Sequence, residues 1–374
     1  MPRPVIIYNY QKPMKSLING RRQAAPLQFL KLFELYKNQR GNAQTREHQS
    51  MEKLLEVKNL TTCFVQEGRE IPLVDDVSFF INKNSVLGFV GESGCGKTMT
   101  ALSLTGLLPG KNCKIVSGKI NFNGQTINQI KEKDLKQIRG KEITYIFQEP
   151  STCLNPVLNI KEQLSEVVQL YCKEISPEQI NQFLIKQLEL VGIRSPEEKL
   201  LSFPHQLSGG EKQRVMIAMS MIPRPALLIA DEPTTALDVT IQAQILKLLD
   251  KLRQETGVAI MLISHDLNVI AELSDYIAVM YAGQIVEFAK AEQLLSKPLH
   301  PYTQGLFECL PKKEHNNQNK LKAIIGEVPK SGNFPTGCRF HPRCPQKFDK
   351  CAQAMPALFK PNPDQEVRCW LCSD

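Results

Sequence analysis

The octapeptide Gly91-Glu92-Ser93-Gly94-Cys95-Gly96-Lys97-Thr98 constrains this chain of 374 residues more than any other stretch. It follows the pattern G-x-x-x-x-G-K-T, which needs a buried strand running into it and a helix leaving it. Both are legible, because Ser85–Val90 is a short apolar run and Met99–Leu108 reads as an apolar helix. The glycines let the backbone curl until successive N–H groups face one anion, and the helix N-terminus adds partial positive charge. Lys97 then reaches β- and γ-phosphates, and the Thr98 hydroxyl suits Mg2+. A glycine-rich turn arising by chance would lack that setting.

A second element fits beside it. The apolar strand Ala226–Asp231 ends in a carboxylate, and Glu232 follows at once. A strand end stands Asp231 next to the loop for Mg2+, while Glu232 can orient or deprotonate an attacking water. Nucleotide hydrolysis is therefore expected, with its use left open. The segment Leu207-Ser208-Gly209-Gly210-Glu211-Lys212-Gln213-Arg214 precedes a helix whose Val215, Ile217, Ala218 and Met219 feed a buried face. Ser208-x-x-Glu211 can serve as a capping box. Capping does not call for Gly209 and Gly210, however, and exposed N–H groups at a helix start make a second phosphate-binding end.

On these residues the chain resembles the ATP-binding cassette (ABC) family, whose Leu-Ser-Gly-Gly-Glu-x-Gln-Arg motif residues 207–214 match. The resemblance implies an α/β P-loop cassette with a parallel core sheet, an antiparallel β part and an inserted helical subdomain. It also implies ATP and Mg2+ as ligands of residues 91–98, with Thr100 among the nucleotide contacts. Two cassettes pack head to tail in that family, so Ser208, Gly209 and Gly210 of one chain would cover the γ-phosphate held by another. Phe147-Gln148-Glu149-Pro150 resembles the Q-loop, where Gln148 would contact Mg2+ and the water. Ala236-Leu237-Asp238 resembles the D-loop. Ser264-His265-Asp266, after the apolar strand Val258–Ile263, carries the switch histidine. A lone histidine at a strand end is more often a surface or hydrogen-bonding group, and its place downstream of Glu232 is what favours a γ-phosphate contact. Phe64 is the candidate for stacking on adenine, with a plain strand-core role as the alternative.

The resemblance runs over roughly residues 52–372 and is nearest to ATPase subunits of oligopeptide and dipeptide importers. Gln148 to Pro156, Val279-Met280-Tyr281-Ala282-Gly283, His300-Pro301-Tyr302-Thr303 and Gly326-Glu327-Val328-Pro329 carry it, although Cys153 stands where serine is usual. Nickel importers are close relatives. Five of the eleven cysteines crowd the last 37 residues, a composition shift that marks a separate module. Cys338, Cys344, Cys351 and Cys369 give four soft thiolates in a proline-rich segment too small for a core of its own, which suits an iron–sulfur cluster or zinc. Structural zinc usually has paired C-x2-C knuckles, and only Cys369 and Cys372 have that spacing. Family resemblance favours [4Fe–4S] on the first four, with Cys372 spare.

Composition bounds the alternatives. Residues 1–50 hold nine Lys/Arg against two Glu, which leaves 37 basic and 36 acidic residues in the rest, so the body lacks the basic excess of a phosphate-backbone binder. The first fifty residues read as a basic, disordered leader upstream of an alternative start at Met51; Val5-Ile6-Ile7 is too short for a secretory signal. Phe29, Leu32, Phe33 and Tyr36 repeat as in a short amphipathic helix. No apolar run is long enough for a membrane span. The expected division is a leader at 1–50, an ABC ATPase domain at 51–290 with a helical subdomain near 150–220, and a Cys-rich extension at 291–374. The expected role is the ATPase that energises a di-/oligopeptide importer from the cytoplasmic face of the cell membrane. Its partners would be a second, non-identical cassette, two integral membrane subunits and an extracytoplasmic solute-binding protein. The rivals are a soluble cassette ATPase of translation or DNA repair and a zinc-type nucleic-acid reader.

Overall fold

A computed structural model describes residues 52–149, 153–235, 237–309 and 324–373. The leader at 1–50, with its Phe29–Tyr36 repeat, lies outside them, as do Pro150, Ser151 and Thr152 of the Q-loop segment and Ala236 of the D-loop.

The chain opens with a long antiparallel pair, β1 (Lys53–Gln66) and β2 (Arg69–Asn82), reversed at Glu67 and Gly68, both at positive φ. The apolar strand β3 (Val86–Val90) follows and leads into α1 (Lys97–Thr105). This helix stops short of the expected Leu108 because Gly106 takes a left-handed C-cap at φ 64 and returns its N–H to the last turn. Next come β4 (Cys113–Phe122), β5 (Gln125–Thr126), α2 (Glu132–Ile138) and β6 (Ile143–Ile146). Among the described residues β2, β1, β4 and β5 form one antiparallel sheet.

Helices dominate from there to residue 221. They are α3 (Ile160–Tyr171), α4 (Pro177–Leu190), α5 (Pro196–Leu201) and α6 (Gly209–Met221). Asn159 and Glu162 close a capping box on α3, and Ser176 with Gln179 does the same for α4. Ile160, Leu164 and Val168 on α3, and Ile180, Leu184 and Leu188 on α4, recur at helical spacing and are buried in one cluster.

The strands return as β7 (Leu227–Asp231), α7 (Val239–Thr256), β8 (Ala259–Ser264), α8 (Leu267–Leu273), β9 (Tyr276–Tyr281) and β10 (Gln284–Lys290). After α9 (Ala291–Ser296), α10 (Pro301–Glu308) and α11 (Asp349–Gln353), the strands β11 (Phe359–Asn362) and β12 (Gln365–Val367) end the fold. The main sheet has the order β11-β12-β10-β9-β3-β8-β7-β6, parallel from β9 to β6 and antiparallel beyond β9. Its parallel strands are buried on both faces, as alternation dictates. Leu87, Phe89, Leu227 and Ile229 point into the core shared with the antiparallel sheet, while Val86, Val90, Leu228 and Ala230 point into the helical core. Composition sets the Cys-rich tail apart, yet its strand β12 pairs with β10, matching Glu287 with Val367, and so extends the main sheet. Among the described residues no helix is long and apolar enough to cross a membrane.

Candidate active site

The parallel strands deliver their C-terminal ends to one edge, and the loops there carry the chemistry. Strand β3 ends at Val90 and the octapeptide begins. A Cβ on Gly91 would lie 2.2 Å from the Met280 carbonyl oxygen, so only glycine lets the loop pass β9. Gly96 is the N-cap of α1 at φ 109 and supplies no side-chain cap, which leaves the first N–H groups of the helix open to an anion. Lys97 is buried, and its Nζ donates to the Gly91 carbonyl (2.7 Å) and the Glu92 carbonyl (3.1 Å). Ser93, Gly94 and Thr98 are exposed at the loop's surface. Cys95 is buried, and burial raises its thiol pKa against the opposing charge of Lys97. The Thr100 hydroxyl donates to the Gly96 carbonyl (3.0 Å) within the first turn of α1.

Asp231 ends β7 and is buried. Its Oδ2 accepts the Tyr145 hydroxyl (2.8 Å), and its Oδ1 is buried without a hydrogen-bond partner. Burial raises its pKa, opposed by the hydrogen bond from Tyr145, the nearby Thr98 hydroxyl and the Lys97 charge. Glu232 sits at φ 48 with its N–H donated to the Ile263 carbonyl, which turns its side chain off the strand line. Three groups converge on that carboxylate. Gln148 Nε2 (3.1 Å) and Thr235 Oγ1 (2.7 Å) donate to Oε2, and His265 Nδ1 stands 3.2 Å from Oε1. Burial acts to raise the Glu232 pKa, but the bonds from Thr235 and His265 and the charge of Lys97 outweigh it, so the net shift is downward. Glu232 is thus an anion at neutral pH. Tyr145 and Thr235 are the residues that sequence reasoning missed; Tyr145 is one of alternating side chains on a buried strand, with no local motif to mark it.

Ser208 caps α6 and is already engaged. Its Oγ accepts the Glu211 N–H (3.3 Å) and donates to Glu211 Oε2 (2.9 Å), which also accepts the Ser208 N–H (2.9 Å). Asp238 caps α7 by accepting the Ile241 N–H (2.9 Å). These two helix starts abut, since a Cβ on Gly210 would lie 2.9 Å from the Ile241 side chain and one on Gly209 would lie 3.4 Å from Leu237. Phe64 is half-buried on β1, in register with Ile71 on β2 and Cys113 on β4.

Away from this edge, Cys338, Cys344, Cys351 and Cys369 line one cavity with His300 and Phe340, and Cys372 is not among its lining residues. All are free thiols. Burial pushes Cys344 up to about 11 and Cys369 up to about 12. His300 Nδ1 accepts the Tyr302 N–H (3.0 Å), so the proton of the neutral ring sits on Nε2, a buried atom without a partner. Burial lowers that imidazole to about 3. Among the described residues no three His, Cys, Asp or Glu side chains gather around a single metal ion.

Residues 74–235 match the family model described as ABC transporter, and residues 286–351 match that of the oligopeptide/dipeptide transporter C-terminal region. An oligopeptide transport ATP-binding protein of Bacillus subtilis is 47% identical over 321 residues, which is 86% of this chain and 97% of that protein. A dipeptide transport ATP-binding protein of the same organism is 42% identical over 86% of this chain and 95% of its own length. An oligopeptide transport ATP-binding protein of Haemophilus influenzae is 43% identical over 87% of this chain and 99% of its own length. Among solved structures, a dimeric ATP-binding cassette in a post-hydrolysis state with ADP and Pi superposes with a TM-score of 0.57 at 26% identity, covering 63% of this chain and 98% of that one.

Proposed function

This chain belongs to the ABC transporter ATPases, in their oligopeptide/dipeptide branch, and from that premise we propose how its residues work and with what they assemble. It is an ATP-binding and ATP-hydrolysing subunit. The observation that carries the residue assignment is the convergence of Gln148, Thr235 and His265 on Glu232, one residue beyond Asp231.

ATP enters with its phosphates over residues 91–98. Lys97 exchanges the Gly91 and Glu92 carbonyls for phosphate oxygens, and the open N–H groups of α1 add theirs. The buried, unpartnered Oδ1 of Asp231 together with Thr98 and Gln148 fits a divalent cation. Mg2+ held there would neutralise charge between the β- and γ-phosphates. The ionised Glu232 carboxylate, fixed by Thr235 and His265, orients the water whose oxygen bonds to the γ-phosphorus as the β–γ bridging bond breaks. Gln148 completes the water's cage. Positioning and electrostatics dominate such a step. Phe64 lies on the strand pair that would face adenine, and Thr100 supports the loop from inside α1.

Ser208, Gly209, Gly210 and Asp238 act across a head-to-tail interface on the nucleotide of a second, non-identical cassette. Two membrane subunits dock through the segment after Gln148, an extracytoplasmic protein delivers the cargo, and the chain sits peripherally on the cytoplasmic face of the cell membrane. Peptides are the favoured cargo over nickel because relatives at 41–47% identity are named for peptide transport. The cassette spans about residues 51–290, its helical subdomain about 150–220, and the extension 291–374.

For the extension we assign a [4Fe–4S] cluster to Cys338, Cys344, Cys351 and Cys369. Four thiols line one cavity, and as thiolates they would hold such a cluster without having to converge on a single ion. The unpartnered His300 Nε2–H lines the same cavity and can donate to a sulfur. Anaerobically purified protein should contain iron and acid-labile sulfide in nearly equal amounts; zinc without sulfide would overturn this. Glu232→Gln tests the hydrolytic site. It should keep ATP binding, lower turnover by about 10²–10⁴-fold and accumulate closed dimers, and unchanged hydrolysis would remove Glu232 from its role.

A further inference from the structure

Glu92 is the one acidic residue in the phosphate loop, and it sits where a polyanion must bind. A carboxylate there repels phosphate unless another charge cancels it. The structure supplies that charge from 251 residues away. Arg343 Nη1 donates to Glu92 Oε1 (2.9 Å) and Nη2 to Oε2 (3.0 Å), a two-pronged pair in which the arginine side chain is only 5% exposed. The guanidinium is itself fully held, with Nε on the Ile325 carbonyl (3.0 Å), Nη2 also on the Ile324 carbonyl (3.3 Å) and Nη1 also on the Tyr281 hydroxyl (3.4 Å). On the same loop residue, the Glu92 N–H donates to the Tyr302 hydroxyl (2.9 Å). Side chain and backbone of Glu92 are thus both gripped from outside the loop.

We infer that Arg343, with Tyr302, is a positioning clamp through which the C-terminal extension sets the charge and shape of the phosphate loop. The inference rests on the ATPase reading and goes beyond it, because it makes the extension a determinant of nucleotide affinity. Arg343 lies in the tight turn between Cys338 and Cys344, where its N–H donates to the Phe340 carbonyl (3.0 Å). Two neighbours repeat the pattern on the adjoining backbone. Arg339 pairs with Asp75 and donates to the Ala282 carbonyl, and Arg368 pairs with Asp76 (3.0 Å). Asp75 donates its N–H to the Gly283 carbonyl (2.8 Å), and Gly283 donates its own to the Cys95 carbonyl inside the loop (2.8 Å).

The test is a charge rescue in the full-length chain, read as the dissociation constant for MgATP well below the melting temperature. Arg343→Ala should weaken binding about tenfold by leaving Glu92 unpaired. Adding Glu92→Gln should restore most of the loss, because the repelling charge is gone; a double variant as weak as R343A, or R343A with native affinity, overturns the clamp. If R343A does not fold, Tyr302→Phe decides in the assembled transporter. It removes only the acceptor of the Glu92 N–H and should raise KM for ATP about threefold with kcat unchanged, whereas an unchanged KM overturns the proposal. An unmodified transporter that fails to hydrolyse ATP would sink the ATPase reading itself, while native turnover with an indifferent R343A sinks the clamp alone.

Discussion

Two helix starts in this molecule, both proposed as phosphate contacts, are prepared in opposite ways. At α1 the cap is Gly96, which offers no side chain, and the leading N–H groups stay open. At α6 the cap is Ser208, and Ser208 with Glu211 closes a full capping box that Lys199 steadies at 2.8 Å. The first end is ready for an anion in a single chain. The second is closed by its own hydrogen bonds, and in the proposed head-to-tail pair it would give some of them up to grip a phosphate presented by the partner. Under the proposed head-to-tail pairing, the difference separates binding, which one chain would do, from turnover, which would take two.

The comparison can be broken at either end. The largest effect is expected from Lys97→Ala, which should cut turnover by about 10²–10³-fold and abolish measurable ATP binding by the isolated chain. Ser208→Ala should leave that isolated binding within about twofold while slowing the assembled transporter; equal losses of binding in the two variants would erase the distinction. Gly96→Ala comes next, since φ 109 and a Cβ 2.9 Å from the Leu73 carbonyl should destabilise the fold by about 1–3 kcal/mol in denaturant titrations. Loss of the α6 cap in S208A should cost about 1 kcal/mol in the same assay.

The smallest effect is a pH dependence. Burial acts to raise the Glu211 pKa, but Lys199 and the Ser208 groups outweigh it and hold it below the ordinary 4.5. A carboxyl lowered on folding stabilises above its unfolded pKa and loses that contribution as pH falls through the folded one. Glu211→Gln should therefore melt earlier than the native chain at pH 7, and the gap should close as the pH drops below 4.5.

How much of this was legible depended on range along the chain. The P-loop, the strand ending in Asp231 and the Ser208 capping box are local patterns, and their elements lie within one to three residues of where the sequence put them. Glu232 and His265 were legible as strand-end residues, but their 3.2 Å approach depends on β7 and β8 being neighbours. Tyr145 on Asp231 spans 86 residues and Arg343 on Glu92 spans 251, and no periodicity or spacing records such pairs. The segment His300–Thr303 stood out by resemblance alone, without a task for Tyr302. The cysteine-rich tail misled in one respect: its composition suggests separation, whereas hydrogen bonding makes its last strands part of the main sheet.

That last pairing has a consequence for solubility. Strand β10 carries the buried apolar residues Ile285, Val286 and Phe288, and β12 occupies the backbone groups along its outer side. The outermost strand, β11, is four residues long and includes Lys360 and Pro361, the features by which natural sheets discourage edge-to-edge joining. Cutting the chain before residue 359 would uncover the edge of β10 that β12 pairs with, beside its apolar residues. Such a truncated protein should self-associate in light-scattering measurements even where its nucleotide loop is intact, so the tail also keeps neighbouring copies apart.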